Sequence, residues 1–337
     1  MTPHGPSPAL FFDTLNGFQR TEALRSAIEL DLFTLIAAWH RTAAELAAAC
    51  GAAPRGVRIL ADHLTILGFL HKDGDRYGLT PDTAAFLDRN SPAYMGGVTE
   101  FLLTPQLKEC FTRLTAAVRR GGTAVSDEGT VSHDNPIWVA FARAMAPMMH
   151  LPAQRLADLV GGDRERPLRV LDVAAGHGLF GITIAERHPR AHVTALDWAN
   201  VLAVASENAK RAGVADRHVL RPGSAFETDW GGPYDLVLLT NFLHHFDLPT
   251  CTQLAAKALA ALAPGGRAVT LEFVPEPDRV TPPATAAFAL VMLATTPRGD
   301  AYTFAEYERV FADAGFARSE FHPLPPTAQQ VVLSYKG

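Results

Sequence analysis

The stretch Val170 to Gly181, VLDVAAGHGLFG, constrains this chain more than any other. An apolar run, Leu168 to Val173, carries Asp172 near its end and breaks into small residues, Ala174-Ala175-Gly176-His177-Gly178, before a helical run from Leu179 to Arg187. A strand that turns through glycine into a helix leaves backbone N–H groups facing a ligand at the helix N-terminus, and a missing Cβ lets that ligand approach the main chain. A nucleotide-type pocket is expected here. Gly176, Gly178 and Gly181 match G-x-G-x-x-G literally. They begin only after two alanines, so the match alone does not separate a dinucleotide enzyme from other nucleoside binders.

From Leu168 onward apolar strands alternate with helices. Strands are expected at Leu168 to Val173, His192 to Asp197, Val219 to Gly223, Tyr234 to Thr240 and Ala268 to Val274, with a helix from Thr250 to Leu262 before Pro264-Gly265-Gly266. The segment Glu320 to Tyr335 reads as a strand pair around Pro323 to Pro326. Alternating βαβ units imply a parallel sheet covered on both faces, with ligands at the carboxyl ends of its strands. Asp197 ends the second strand, where an acid accepts hydrogen bonds from ribose hydroxyls.

The N-terminal part reads differently. Leu10 to Ala37 has helical spacing, Thr42 caps a helix from Ala43 to Cys50 that Gly51 ends, and Pro54 opens another through Leu67. GFLHKDGDRYGLT then forms a hairpin around Lys72-Asp73-Gly74-Asp75. Three helices and a hairpin make a winged helix, often a DNA-binding unit. Here Pro54 to Leu67 holds Arg55 and Arg58 but is otherwise largely apolar, so burial is expected on most of its sides, for packing or dimerisation. Leu79 to Leu159 reads as mostly helical, broken at Gly121-Gly122 and in the polar stretch Ser126 to Asn135. Trp138, Phe141, Met145, Met148 and Met149 share one helix, as core or as the wall of an apolar substrate pocket. The charged linker Gly161 to Pro167 is the expected domain boundary.

Composition excludes several classes. A net charge of −5 with no basic cluster beyond Arg119-Arg120 argues against nucleic acid as a partner. Cys50, Cys110 and Cys251 lie far apart without metal-ligand spacing, so neither a disulfide framework nor a metal site is expected. With no signal-peptide pattern at MTPHGPSPALFF and no apolar run long enough to span a bilayer, the expected location is the cytoplasm, away from membranes.

The ordered segments VLDVAAGHGLFGITIA, ALDW, RPGSAFE, DLVLLTNFLHHFD and APGGRAVTLEFVP resemble the motifs of class I S-adenosylmethionine-dependent methyltransferases. Joined to the winged-helix part, they make the chain from Phe11 to Tyr335 similar to the O-methyltransferase family of plant caffeate and flavonoid enzymes and bacterial polyketide-tailoring enzymes. The resemblance implies an α/β fold in two domains. Residues 161–337 would form a Rossmann-like domain on a mostly parallel seven-stranded sheet, and residues 1–160 a mainly α-helical winged-helix dimerisation domain that contributes to the substrate pocket. It also implies S-adenosylmethionine as cofactor, S-adenosylhomocysteine as product, a homodimer, and methyl transfer to a hydroxyl of a small aromatic secondary metabolite. The rival readings are C- or N-methylation on the same fold and a ligand-binding winged-helix regulator.

The resemblance carries over residue by residue. Asp172, Ala174, Gly176, His177 and Gly178 fall to the cofactor, the turn wrapping its methionine part; Asp197 would hold the ribose hydroxyls and Trp198 would lie beside the adenine. Ser224, Ala225 and Phe226 match the loop bordering the adenine ring, and Asn241 the sulfonium region. His244 matches the general base that takes a phenol's proton, and Glu272 the acid that orients it. Met145, Met149, Phe288 and Met292 fall where the acceptor pocket is built, with a loop over it from Pro297 to Asp300. Two departures stand out. His245 replaces a common Asp, which leaves open which imidazole faces the pocket, and Ala301-Tyr302-Thr303 occupies the place of a second orienting Glu. His177 could touch the methionine carboxylate or point to solvent.

Overall fold

The computed structural model describes residues 5–131 and 137–337, so the first four residues of the leader and residues 132–135 of the polar stretch lie outside the described residues. Two compact units make up the chain, Met1–Thr99 and Glu100–Gly337. The expected boundary at 160/161 falls inside the second unit. The helix Ile137–Val160 buries Met149, Ala153, Leu156 and Val160 in the same cluster as Val170, Val193 and Leu238 of the sheet, so it belongs with that sheet's core.

In the first unit the expected Leu10–Ala37 helix is three, Ala9–Leu15, Gly17–Glu29 and Leu32–Ala37. Asp31 breaks the run at φ 57°, a left-handed conformation that Asp tolerates through local hydrogen bonding. The helix Ala9–Leu15 buries none of its residues, and Leu10, Phe11, Phe12, Leu15 and Phe18 stand exposed. Thr42 opens Ala43–Cys50 with a capping box: its hydroxyl accepts from Glu45 N, and Glu45 Oε2 accepts from Thr42 N at 2.9 Å. The helix Pro54–Ile66 buries Val57, Ala61 and Leu64 along a single face, while Ile59 and Ile66 are exposed. Burial on most of its sides is therefore corrected to one amphipathic face. Strands β1 (Leu70–Asp73) and β2 (Arg76–Leu79) pair antiparallel across Gly74, which takes φ 57°. Asp62 ties that hairpin to the helix, accepting from Tyr77 Oη at 2.7 Å and Lys72 Nζ at 2.5 Å.

The second unit is built on β3 (Leu168–Val173), β4 (Ala191–Asp197), β5 (His218–Pro222), β6 (Tyr234–Thr240), β7 (Leu262–Glu272), β8 (Arg318–Pro323) and β9 (Gln330–Tyr335). They form one seven-stranded sheet in the order β5-β4-β3-β6-β7-β9-β8. β3 to β7 run parallel, and β9 pairs antiparallel with both β7 and β8. Strand residues alternate between two apolar clusters, one with Val170, Val193, Leu238 and Val269 and the other with Leu171, Leu196, Val237 and Tyr307. A sheet covered on both faces needs such uninterrupted apolar strands. Pro264-Gly265-Gly266 is not the turn expected ahead of a strand at Ala268. The strand begins at Leu262, and the pairing with β6 shifts register between Tyr234 and Leu236 to absorb these residues.

Gly181 lies where the helix Leu179–Arg187 crosses β3 and β4. A Cβ there would meet Val193 Cγ1 at 2.6 Å and Asp172 Oδ2 at 3.1 Å, so the glycine sets the distance between helix and sheet. Gly181→Ala is expected to destabilise the protein by about 1–3 kcal/mol, the usual result of overpacking a core. The midpoint of urea denaturation checks this, and an unchanged midpoint would show that the helix shifts freely.

Candidate active site

The chain winds outward from β3 through β4 to β5, then returns to the other side of β3 as β6. At that reversal the loops leaving neighbouring strands part in opposite directions and open a crevice. A cavity of about 300 Å³ lies there, lined by the turn Ala174–His177, by Asp197 and Trp198 after β4, by 223–227 after β5, and by Thr240, Asn241 and Phe242 at the end of β6. Trp138, Phe141, His245 and Phe246 complete its wall.

The turn is held in shape by its own conformation and by one carboxylate. Gly176 and Gly178 take φ 57° and 74°, and Ala174 takes φ 53° without being glycine. Asp197 Oδ2 accepts from Gly176 N at 2.8 Å, and Oδ1 accepts from Trp198 N at 2.7 Å. Burial pushes the Asp197 carboxyl up to about 6, against the pull of those two N–H groups. Asp172 sits behind the turn and does not line the cavity. Its Oδ2 accepts from Gly181 N at 3.2 Å, and among the described residues its Oδ1 has no partner. Desolvation, with Asp197 nearby, raises its carboxyl to about 7. His177 is buried in the turn, its ring on the cavity wall and its Nδ1 accepting from Leu179 N at 3.1 Å.

Ala225 and Phe226, in the loop with Ser224, are fixed from behind by groups that sequence reasoning had not connected to them. Lys257 Nζ donates to the carbonyls of Ala225 and Phe226, each at 2.7 Å, and Trp230 Nε1 donates to Ala225 O at 2.9 Å. The ring of Phe226 packs edge-on to Phe246 at 5.2 Å.

The second feature is the short 3₁₀ turn Leu243–His245 after β6. Glu272 at the end of β7 is fully buried; its Oε1 accepts from Phe242 N at 2.9 Å, Leu243 N at 2.8 Å and His244 N at 3.4 Å. Its Oε2 lies 2.5 Å from His244 Nδ1. A carboxylate there makes Nδ1 the protonated nitrogen and leaves the Nε2 lone pair free, the arrangement of a histidine base with its orienting acid. His244 ring centroid lies 4.8 Å from Phe288, which stacks on Phe273 at 3.9 Å. Asp300 N donates to His244 O at 3.0 Å, bringing the loop Pro297–Asp300 against this turn.

His245 differs. Its Nδ1 donates to Phe242 O at 3.1 Å, its ring packs edge-on to Trp138 at 5.2 Å, and it lines the cavity. Desolvation first, and His244 second, hold its imidazole well below the ordinary histidine range. Ala301 is buried, and its carbonyl accepts from Arg279 Nη1 at 3.4 Å. The nearby acid, Glu306, is spent on capping Thr303 and pairing Arg279 at 2.6 Å.

Of the residues expected in the acceptor pocket, Phe288 stands beside His244, while Met145, Met149 and Met292 do not line the cavity. Met149 Sδ accepts from Asn241 Nδ2 at 3.5 Å and from Gln329 Nε2 at 3.7 Å, so it supports Asn241 from beneath. The wall residues Phe180, Glu227, Phe242 and Phe246 lie inside the ordered segments but had no role assigned to them there, and Val201 lies outside those segments.

This fold and site define a Rossmann-like methyltransferase, and the relatives fix the family. A family profile described as the O-methyltransferase domain matches residues 112–317, and one described as the O-methyltransferase dimerisation domain matches 12–89. The chain belongs to the O-methyltransferase family. It is 32% identical over 324 residues to the tetracenomycin polyketide synthesis 8-O-methyl transferase of Streptomyces glaucescens, covering 94% of each chain. It is 31% identical to the 3-hydroxy-5-methyl-1-naphthoate 3-O-methyltransferase of Streptomyces sahachiroi, over 93% of this chain and 90% of that one. A crystal structure from Nostoc punctiforme PCC 73102, provisionally assigned as an O-methyltransferase, superposes with a TM-score of 0.95 at 52% identity, covering 99% of this chain and all of that one. The protein is an S-adenosylmethionine-dependent methyltransferase and, through its dimerisation domain, a homodimer. Among the described residues no helix is long and apolar enough to cross a membrane.

The buried Asp172 gives a measurable pH effect. A carboxyl near 4 in the unfolded chain and about 7 in the fold makes the native state bind the extra proton between those values, so its contribution to stability is full below pH 4 and is lost as pH rises through 7. Asp172→Asn of the cofactor-free protein is therefore expected to gain on wild type between pH 5 and pH 8, by roughly 1–3 kcal/mol in denaturation experiments. A difference that stays flat with pH would show that Asp172 is ionised throughout.

Proposed function

We propose that this enzyme methylates a hydroxyl of a small aromatic secondary metabolite, of the polyketide or naphthoate kind on which its bacterial relatives act, with His244 as base and Glu272 as orienting acid. The observation that carries the assignment is the buried His244–Glu272 pair, which uses Nδ1 and leaves the Nε2 lone pair to accept a proton, with the ring packed beside Phe288. Phenolate is a far better nucleophile than phenol, and Nε2 can take that proton because the imidazolium formed is stabilised by Glu272 directly behind it. His245 has only the neutral Phe242 carbonyl behind its Nδ1, so a charge on it would have no such partner. Bound S-adenosylmethionine supplies an electrophilic methyl group.

The cavity suits that cofactor. Asp197 at the end of β4 would take the ribose hydroxyls, Trp198 and Phe226 would flank the adenine, and the turn Ala174–Gly178 with Asn241 would face the methionine end. Asp172 serves from behind, holding Gly181 and the helix that begins at the turn. Phe288, beside the base, would bound the acceptor side, while Met149 would act from beneath through Asn241. The remaining catalysis is positioning of donor and acceptor in line. The exposed Phe11, Phe12, Leu15 and Phe18 of the first unit form the surface that a second copy would cover. The same reading places the enzyme in the cytoplasm, in keeping with its three free cysteines.

His244→Ala is expected to lower kcat by about 10²- to 10⁴-fold while leaving S-adenosylhomocysteine affinity unchanged by calorimetry. His245→Ala is expected to fall by much less; a reversed order of the two losses would make His245 the base. Cofactor binding should also depend on pH. With the free carboxyl at about 6 and the ribose hydroxyls requiring it ionised, affinity is expected to weaken as pH falls through 6, by about tenfold between pH 7.5 and pH 5. Asp197→Asn should bind weakly at every pH, and a wild-type affinity that does not change with pH would remove Asp197 from that role.

A further inference from the structure

Glu272 grips the turn that carries His244 from its entrance. Its Oε1 accepts from Phe242 N and Leu243 N at 2.9 and 2.8 Å but from His244 N only at 3.4 Å, so the grip weakens at His244 itself. A 3₁₀ turn of three residues has poor internal hydrogen-bond geometry and does not carry the hold forward. The exit of the turn is fixed instead through its carbonyls, by groups from two later segments. Tyr302 Oη donates to Phe246 O at 2.7 Å, Asp300 N donates to His244 O at 3.0 Å, and Cys251 Sγ, on the helix Leu248–Ala261, donates to Leu243 O at 3.2 Å.

The loop that brings two of these donors is packed hard against the turn. A Cβ on Gly299 would collide with His244 O and lie 3.0 Å from His245 C, so glycine is what lets the loop approach this backbone. Tyr302 is itself rigidly placed. It is 5% exposed, its ring meets the fully buried Tyr307 edge-on at 5.9 Å, and the next residue, Thr303, opens the helix Phe304–Asp313 with a capping box. Burial, ahead of nearby negative groups, holds both the Tyr302 hydroxyl and the Cys251 thiol protonated far above their ordinary ranges, so both stay donors wherever an enzyme works. Ala301, between the two loop contacts, is buried and has no side-chain oxygen to offer, so this segment reaches the backbone around His244 rather than its ring. We propose that Tyr302, assisted by Cys251, is a positioning residue for methyl transfer: by fixing the Phe246 carbonyl it holds the exit of the turn, which keeps His244 Nδ1 aligned on Glu272 and Nε2 on the acceptor hydroxyl. The inference rests on His244 being the base and adds what holds that base in place.

Tyr302→Phe removes the hydroxyl and nothing else. The assay uses the full-length dimer with S-adenosylmethionine and 3-hydroxy-5-methyl-1-naphthoate, the compound for which the Streptomyces sahachiroi relative is named. The variant's kcat is expected to fall by about 3- to 10-fold, the usual worth of one hydrogen bond, while KM for the acceptor and S-adenosylhomocysteine affinity by calorimetry stay within about twofold. In a His244→Ala background the same substitution should cost nothing further, because a group that acts through His244 then has nothing to position. Histidine-selective nitrogen-15 spectra give a readout that needs no turnover: the His244 Nδ1–H proton, held against Glu272, should move upfield in Tyr302→Phe while the His177 ring signals stay in place. Unchanged kcat would overturn the proposal; so would a full loss in the His244→Ala background, a parallel loss of S-adenosylhomocysteine affinity, or an unmoved His244 proton. If the naphthoate is not turned over, the spectra decide alone. If Tyr302→Phe does not fold, Cys251→Ala, which removes the weaker donor, should show the same pattern at about two- to threefold and Cys251→Ser should behave as wild type; an unmoved His244 proton in Cys251→Ala then overturns the assignment. Wild-type turnover in His244→Ala defeats the base reading, whereas full turnover in Tyr302→Phe beside an impaired His244→Ala defeats this inference alone.

Discussion

A fully buried carboxylate with no Lys or Arg paired to it among the described residues governs this site. Removing Glu272 from water is costly, and the cost is offset only because three backbone N–H groups and one imidazole converge on its two oxygens. Those donors come from consecutive residues, so satisfying the carboxylate forces the chain after β6 into a tight turn. Asn241 makes the bend, at φ 50°, while its N–H still donates to Leu271 O at 2.8 Å. Once that turn is fixed, Phe242, His245 and Phe246 fall on the cavity wall and His244 falls against Phe288. The wall of the cavity and the placement of His244 are thus two consequences of one desolvated charge.

Strand positions were legible because a sheet buried on both faces requires long apolar runs, and few other segments of the chain have them. The ends of those strands carried the polar residues, so the cavity's place at Asp197, Ser224 and Asn241 was legible too. Register along a strand was harder to see. Asp172 stands at the end of β3 like Asp197 at the end of β4, but it falls on the face covered by the helix Leu179–Arg187, and only the packing of Gly181 reveals that. Breaks made by one residue were also hidden: Asp31 divides a helically spaced segment, and Pro264-Gly265-Gly266 is absorbed within β7 by a shift of register. Most of the aromatic wall was illegible for a simpler reason. Phe180, Phe242 and Phe246 look like core residues in sequence, and what separates core from cavity is the presence of an atom on the far side.

Contacts between distant segments were the least readable. Lys257 spends its charge on the carbonyls of Ala225 and Phe226, and Gln329 reaches Asn241 Oδ1 at 3.2 Å, pairs that no local pattern encodes. These groups hold loops whose own residues have little choice of partner. A carbonyl turned toward a lysine cannot also turn toward a ligand, so Lys257 orients the loop after β5 with its side chains to the cavity.

The two departures from the family pattern bear on each other. With Ala301 buried where a second acid is common, and Glu306 committed to Thr303 and Arg279, Glu272 is the carboxylate left to stabilise a charge on His244. With a histidine in place of the usual Asp at 245, a negative charge next to His244 is gone and an imidazole with ring centroid 4.2 Å from that of His244 takes its place. That neighbour must stay neutral for His244 to accept a proton, because two imidazolium rings at such a distance repel strongly in a desolvated wall. Burial and the adjacent His244 keep it so, against the pull of the Phe242 carbonyl. The pair therefore divides by its partners: the histidine backed by a carboxylate can carry charge, and the histidine backed by a carbonyl shapes the cavity.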